Sequence, residues 1–209
     1  MEKIFKDIVY PDSDGKPMGD NTIQIKWMWR LYEGLYDQYG DDPNTLVCCN
    51  LLWYPVEGNN RLRVAPDVMV VRGRPNCDRG SYRQWEEGGV APTVTFEILS
   101  PGNRPGEIRR KFRFFQRYGV QEYYLYDPSS FELQGWERQG RRLVPIVIID
   151  GWVSPSLGIR FDLSEGELRI FSSNGREFLT KDQARKERER LAAKLRELGV
   201  DPDTITGGK

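Results

Sequence analysis

Residues 93–127 read TVTFEILSPGNRPGEIRRKFRFFQRYGVQEYYLYD, and the fold is decided there. The stretch opens on an alternating apolar run, closes on a second strand-like run, EYYLYD, and carries a helical pattern between them. Pro105 and Gly119 frame that helix in the usual order, with proline at its first position and glycine just past its end. Strand, crossover helix and strand in these proportions make a right-handed βαβ unit with two parallel strands. Within the first strand, Val94, Phe96 and Ile98 share one face, and Thr93, Thr95, Glu97 and Leu99 the other. Glu97 is thus an acid set into a strongly apolar strand.

Upstream, the run VAPDVMVV is the natural antiparallel neighbour of this strand. Asp67 lies near the start of one and Glu97 near the end of the other, so antiparallel pairing brings both carboxylates to one sheet edge. The helix adds a cation. At about 100° per residue, Ile108, Phe112 and Phe115 cluster as the buried stripe. Arg109, Arg110, Arg113 and Arg117 fall on the opposite, solvated side. Lys111 differs from them, standing about 40° from Phe115 and one turn after Glu107, at the border of the buried stripe. From that border a lysine either snorkels or reaches inward to the carboxylates.

Composition narrows the chemistry. The chain has 209 residues, with 31 Lys+Arg balancing 31 Asp+Glu, and contains no histidine. Ser-His-Asp and Cys-His nucleophiles, HExxH zinc sites and histidine general bases are therefore excluded. Carboxylates and lysine remain. Two carboxylates suit Mg²⁺ or Mn²⁺, since octahedral Mg²⁺ binds through one or two carboxylates and keeps several waters. Such an ion activates water and polarises a phosphate, while Lys111 can balance developing negative charge. Phosphodiester hydrolysis fits this set. Cys48, Cys49 and Cys77 are odd in number and lack CxxC spacing, which suits a reducing cytoplasm. No leader-like segment and no apolar run long enough to span a bilayer stand out, so no membrane partner is expected.

The rest of the chain supplies the frame. A helix is expected from an N-cap at Asp20 or Asn21 to Gly40, with Ile23, Trp27, Leu31 and Leu35 as its apolar stripe, widened by Ile25, Met28, Tyr32 and Tyr39. TLVCCNLLWY and RLRVAPDVMVV read as strands, and residues 72–92 as a loop. ELQGWER, RLVPIVII and LGIRFDL suggest an antiparallel meander. From Lys181 to Leu198 runs a charged helix on which Leu191, Leu195 and Leu198 form a short stripe. The expected division is a catalytic-type domain over 1–175 and a charged helical tail over 176–209.

Taken together, the sequence resembles the Uma2-type endonucleases of the PD-(D/E)XK, restriction-endonuclease-like superfamily. The resemblance covers roughly residues 20–165. It is carried by Ala65-Pro66-Asp67-Val68, Phe96-Glu97-Ile98-Leu99-Ser100-Pro101, Lys111, and Gly119-Val120-Gln121-Glu122-Tyr123-Tyr124 leading to Asp127-Pro128. It implies an α/β fold, a mixed central sheet flanked by helices, with additional antiparallel strands and the C-terminal helix. It further implies a metal-dependent DNA endonuclease in which Asp67, Glu97 and the Ile98 carbonyl hold the ion and Lys111 is the charge-stabilising partner. In most of the superfamily that lysine sits two residues after the acid, where this chain has Leu99. Glu107 matches an acidic family position of unassigned role. Two departures stand out. The family's Tyr-Glu-x-x-Asp-Gly segment corresponds to Tyr10-Pro11-Asp12-Ser13-Asp14-Gly15, with proline in place of the glutamate, and a following family histidine falls near Asn21.

The alternative from another class is a catalytically inactive nuclease-fold module for nucleic-acid or protein interaction. A two-carboxylate glycosidase is a poorer third. For DNA as partner, Arg61, Arg63 and Arg104 are the basic residues expected nearest the site, and a homodimer is expected to address both strands.

Overall fold

The computed structural model describes residues 8–15, 19 and 21–202. The chain divides into two units, 1–178 and 179–209. In the first, α1 (Thr22–Tyr39) precedes β1 (Thr45–Cys49), β2 (Trp53–Tyr54), β3 (Val68–Arg72), β4 (Tyr82–Arg83) and β5 (Val94–Ile98). Then come α2 (Pro105–Tyr118), β6 (Glu122–Asp127), β7 (Glu132–Gln139), β8 (Arg142–Pro145), β9 (Arg160–Asp162) and β10 (Arg169–Phe171). Six strands form a mixed sheet in the order β1-β3-β5-β6-β7-β8. Only β5 and β6 run parallel in it, joined by α2 as the βαβ pattern requires, and every other pairing is antiparallel.

Strand alternation builds a core on each face of this sheet. Val68, Val70, Val94, Phe96, Ile98, Tyr124 and Tyr126 face α1, which lays Trp27, Met28, Leu31 and Leu35 against them. On the opposite face Met69, Val71, Tyr123 and Leu125 pack under Phe115 of α2. Glu97 belongs to this second face, beneath a helix and not in solvent. Gly119 closes α2 in the left-handed region at φ 101°, where a β-carbon would be strained.

Several expectations need correction. The N-cap of α1 is Asn21, one of the two expected, whose side chain accepts from the Gln24 N–H, and Asp20 lies outside the described residues. Ile23 is more than half exposed, because the buried stripe runs through Gln24, Trp27, Met28, Leu31 and Leu35. TLVCCNLLWY is not one strand. Asn50, at φ 49°, turns the chain between β1 and β2, a conformation asparagine adopts more readily than most residues. Similarly, 61–67 leads into β3 without joining the six-stranded sheet, and its Val64 bridges instead to Trp53 of β2. The 72–92 segment holds β4, which pairs with β2 in a small parallel sheet. The meander stops at β8, while β9 pairs with the unforeseen β10 as a separate hairpin.

Two buried polar knots fasten these parts. Arg30 on α1 donates to the Phe178 carbonyl at 2.6 Å and pairs with Glu177 at 3.2 Å, tying the helix to the end of the first unit. Glu122, at the start of β6, accepts from Tyr124 Oη and from the Ser156 N–H, each at 2.7 Å. The second unit holds α3 (Lys181–Glu197), opened by a capping box between Thr180 and Gln183. None of its side chains is buried.

Candidate functional site

Antiparallel register decides where the acids meet. Val68 pairs with Phe96, so the next position outward sets Asp67 across from Glu97. The main chain holds Asp67 at this point: the Asn50 N–H donates to the carbonyls of Pro66 and Asp67, each at 3.1 Å. The turn at Asn50, which breaks the expected strand, therefore also anchors one of the site's acids. Asp67 Oδ2 accepts from the Ile98 N–H at 2.7 Å and from Gln24 Nε2 at 3.4 Å. Both carboxylates are buried, at 6% and 5% exposure.

Lys111 reaches inward. Its Nζ lies 2.6 Å from Glu97 Oε2, so the ammonium on α2 caps the acid on β5. The other oxygen, Glu97 Oε1, is buried and has no hydrogen-bond partner among the described residues. Burial pushes the Glu97 carboxyl up to about 8, with Asp67 and Glu107 adding to the rise and Lys111 opposing it. For Lys111, burial pulls downward, but Glu97 and Asp67 outweigh it and hold the ammonium above its ordinary value. Beneath the acids, the buried Tyr123 hydroxyl is raised by its burial and by both carboxylates.

A cleft of about 770 Å³ opens onto Asp67 and Lys111, and Glu97, clasped by that lysine, is not among its lining residues. Asp67, Lys111, Glu107, Gln24, Arg61, Arg63 and Arg110 all line it. Arg61 and Arg63 stand where expected. Arg110 is exposed, as expected of the solvated side of α2, and it also borders the cleft, 3.6 Å from Glu107 on the same edge. Arg104, expected beside the site, is not among the lining residues. Asp14 also lines the cleft, from the segment that holds Pro11.

The donor set suits a hard divalent cation in number and type. Asp67 stands across from Glu97, the Ile98 carbonyl shares the Gln24 amide with Asp67, and the orphaned Glu97 Oε1 is the kind of buried carboxyl oxygen that a cation satisfies. Among the described residues, no cluster of three or more His, Cys, Asp or Glu side chains is placed to hold a metal.

Gln24 is the site residue that sequence reasoning missed. It stands one turn before Trp27 and Met28 on the buried face of α1, a polar residue heading an apolar stripe. Its Nε2 donates to the Ile98 carbonyl at 3.0 Å as well as to Asp67. The available signal was its i, i+4 spacing with Met28, masked by the apolar Ile23 and Ile25 beside it.

Among solved structures, the chain is similar to a putative nuclease belonging to DUF820 from Anabaena variabilis, with a TM-score of 0.50 and 17% identity. That likeness covers 69% of this chain and 80% of the other, and it concerns the fold. No curated protein matches the sequence. Residues 17–164 match the family model of Uma2, described as "Putative restriction endonuclease", and the chain belongs to that family.

Proposed function

We propose that this protein is a Mg²⁺- or Mn²⁺-dependent DNA endonuclease that hydrolyses phosphodiester bonds at the cleft lined by Asp67 and Lys111, with Glu97 held by that lysine. One observation carries the reading: a buried glutamate on a strand, facing an aspartate and clasped at 2.6 Å by a lysine from the crossover helix. A buried acid–lysine pair is weak evidence for stability, since its desolvation offsets much of its attraction. With its lysine lining a cleft beside a second acid, the pair makes better sense as chemistry.

Asp67, Glu97 and the Ile98 carbonyl would hold the ion, which when bound would lower the pKa of water and offset phosphate charge. Lys111 contributes an ammonium fixed by Glu97 and positioned to balance negative charge on a phosphate oxygen. The sheet fixes Glu97 and the Ile98 carbonyl, and the Ile98 N–H holds one oxygen of Asp67, so the acids need little reorganisation. Arg61, Arg63 and Arg110 border the cleft and would contact the DNA backbone without reading sequence. Glu107, on the same rim, would set the position of Arg110.

Incubation with supercoiled plasmid and Mg²⁺ or Mn²⁺ tests the reading. Cleavage is expected from the wild type and not from Asp67→Asn or Glu97→Gln. Equal cleavage by all three proteins would overturn it, and no cleavage by any, with metal bound, would favour an inactive nuclease-fold module. Two strands call for two clefts, so a homodimer on duplex DNA is part of the proposal. The free cysteines Cys48, Cys49 and Cys77 suit work in the cytoplasm. No described helix is long and apolar enough to cross a membrane.

A further inference from the structure

Gln24 does more than fill the first turn of α1. Its carboxamide nitrogen donates to the Ile98 carbonyl at 3.0 Å and to Asp67 Oδ2 at 3.4 Å. The carboxamide oxygen turns the other way, 3.4 Å from where a β-carbon on Gly19 would stand. This orientation is dictated by its surroundings. An amide oxygen in place of the nitrogen would face one carboxylate oxygen and one carbonyl oxygen, neither of which can donate.

Those two oxygens are also hard ligands of the kind a divalent cation takes. The amide hydrogens carry partial positive charge, so the NH₂ group satisfies the pair as a neutral counterpart of an ion. The NH₂ group and a cation cannot share that place, because a cation repels N–H donors and attracts the oxygen at the other end of the same group.

We infer that Gln24 belongs to the metal seat: its NH₂ group holds Asp67 Oδ2 and the Ile98 carbonyl in place without metal, and the carboxamide turns its oxygen inward when a cation enters. The inference rests on the reading that Asp67, Glu97 and Ile98 take a divalent ion. It makes Gln24 a gate as well as a ligand, since its two ends serve the empty and the loaded site in turn. A purely structural glutamine would keep its hydrogen bonds whether or not metal is present.

Two measurements decide it. The side-chain NH₂ signals of Gln24 are followed by ¹⁵N–¹H NMR on the full chain during a Mg²⁺ titration, after assignment through their loss in Gln24→Glu. Calorimetry then compares Mn²⁺ affinity of the wild type and Gln24→Glu, which replaces the donor by a third carboxylate. The Gln24 signals should shift in step with Mg²⁺, and the variant should bind Mn²⁺ about tenfold tighter or more, as added ligand charge predicts. Metal uptake by the wild type with the Gln24 signals unmoved would overturn the inference and leave the metal site standing. Absence of binding in both proteins would overturn both. Should Gln24→Glu not fold, the signals are assigned through bonds in the wild type and the Mg²⁺ titration alone decides.

Discussion

Lys111 Nζ on α2 lies 2.6 Å from Glu97 Oε2 on β5, joining the crossover helix to the strand that precedes it. The contact depends on two periodicities at once. Alternation along β5 turns Glu97 toward the helix, and the helical repeat puts Lys111 at the border of the stripe that Phe115 buries. A shift of one residue in either element would separate the pair.

Stability should fall as pH rises through the neutral range. Burial raises the folded-state Glu97 carboxyl from an ordinary 4.5 to about 8, so in that window the folded protein holds a proton the unfolded chain has released. This contribution is complete below the unfolded value and is lost as pH climbs through the folded one. The raised Lys111 acts in the same sense, but only above its ordinary 10.5, and leaves the window untouched. Urea unfolding between about pH 5 and 8 should show a decline of at most about 1.4 kcal/mol per pH unit from this group. Glu97→Gln should flatten it. An identical slope in the variant would show that Glu97 is not the group responsible.

Lys111→Met should abolish most cleavage while sparing the fold near neutral pH. Without the ammonium, Glu97 is left beside Asp67 and takes up a proton more readily, which avoids a bare buried charge. Cleavage rates on plasmid should drop by about a hundredfold or more, the scale on which loss of one preorganised charge-stabilising group is felt. Circular dichroism should be unchanged. Activity within a few-fold of wild type would remove Lys111 from the chemistry.

Gly34→Ala should destabilise the protein even though alanine is the better helix former by about 1 kcal/mol. A β-carbon at Gly34 would stand 2.2 Å from Cγ of the buried Phe178 ring. With Arg30 fixing the Phe178 carbonyl at 2.6 Å, the ring has little freedom to withdraw. Overpacking of this kind costs about 1–3 kcal/mol, so thermal melting should move downward. An upward shift would mean that the ring yields.

Binding to DNA should depend strongly on salt despite a net charge of zero. Arg61, Arg63 and Arg110 are brought to one cleft from separate parts of the chain, so local charge governs where the total does not. Fluorescence anisotropy with duplex DNA should show affinity falling between low and moderate salt. Changing all three arginines to alanine should lower the slope of log affinity on log salt by about 2 to 3, near one unit per phosphate contact. A slope unaffected by the triple change would place the DNA surface elsewhere.

Much of the site is legible in the sequence because it lies on regular elements. The alternation of Val94, Phe96 and Ile98 sets the face of Glu97, and Pro105 with Gly119 sets the helix that delivers Lys111. What escapes is tertiary. The hydrophobic run from Thr45 to Tyr54 hides the turn at Asn50, since its neighbours are apolar in both strands. Arg110 is exposed, as its helical angle predicts, yet it borders the cleft that Arg61 and Arg63 also line, which no local pattern records. Gln24 escapes for the same reason: its partners, Asp67 and Ile98, lie 43 and 74 residues away.

The most direct measurement is an anomalous difference map from crystals of the protein soaked with Mn²⁺. A single strong peak is expected within coordinating distance of oxygens of Asp67 and Glu97 and of the Ile98 carbonyl. No peak there at saturating Mn²⁺, or a peak bound only elsewhere on the chain, would contradict the assignment of these residues as a metal-dependent nuclease site.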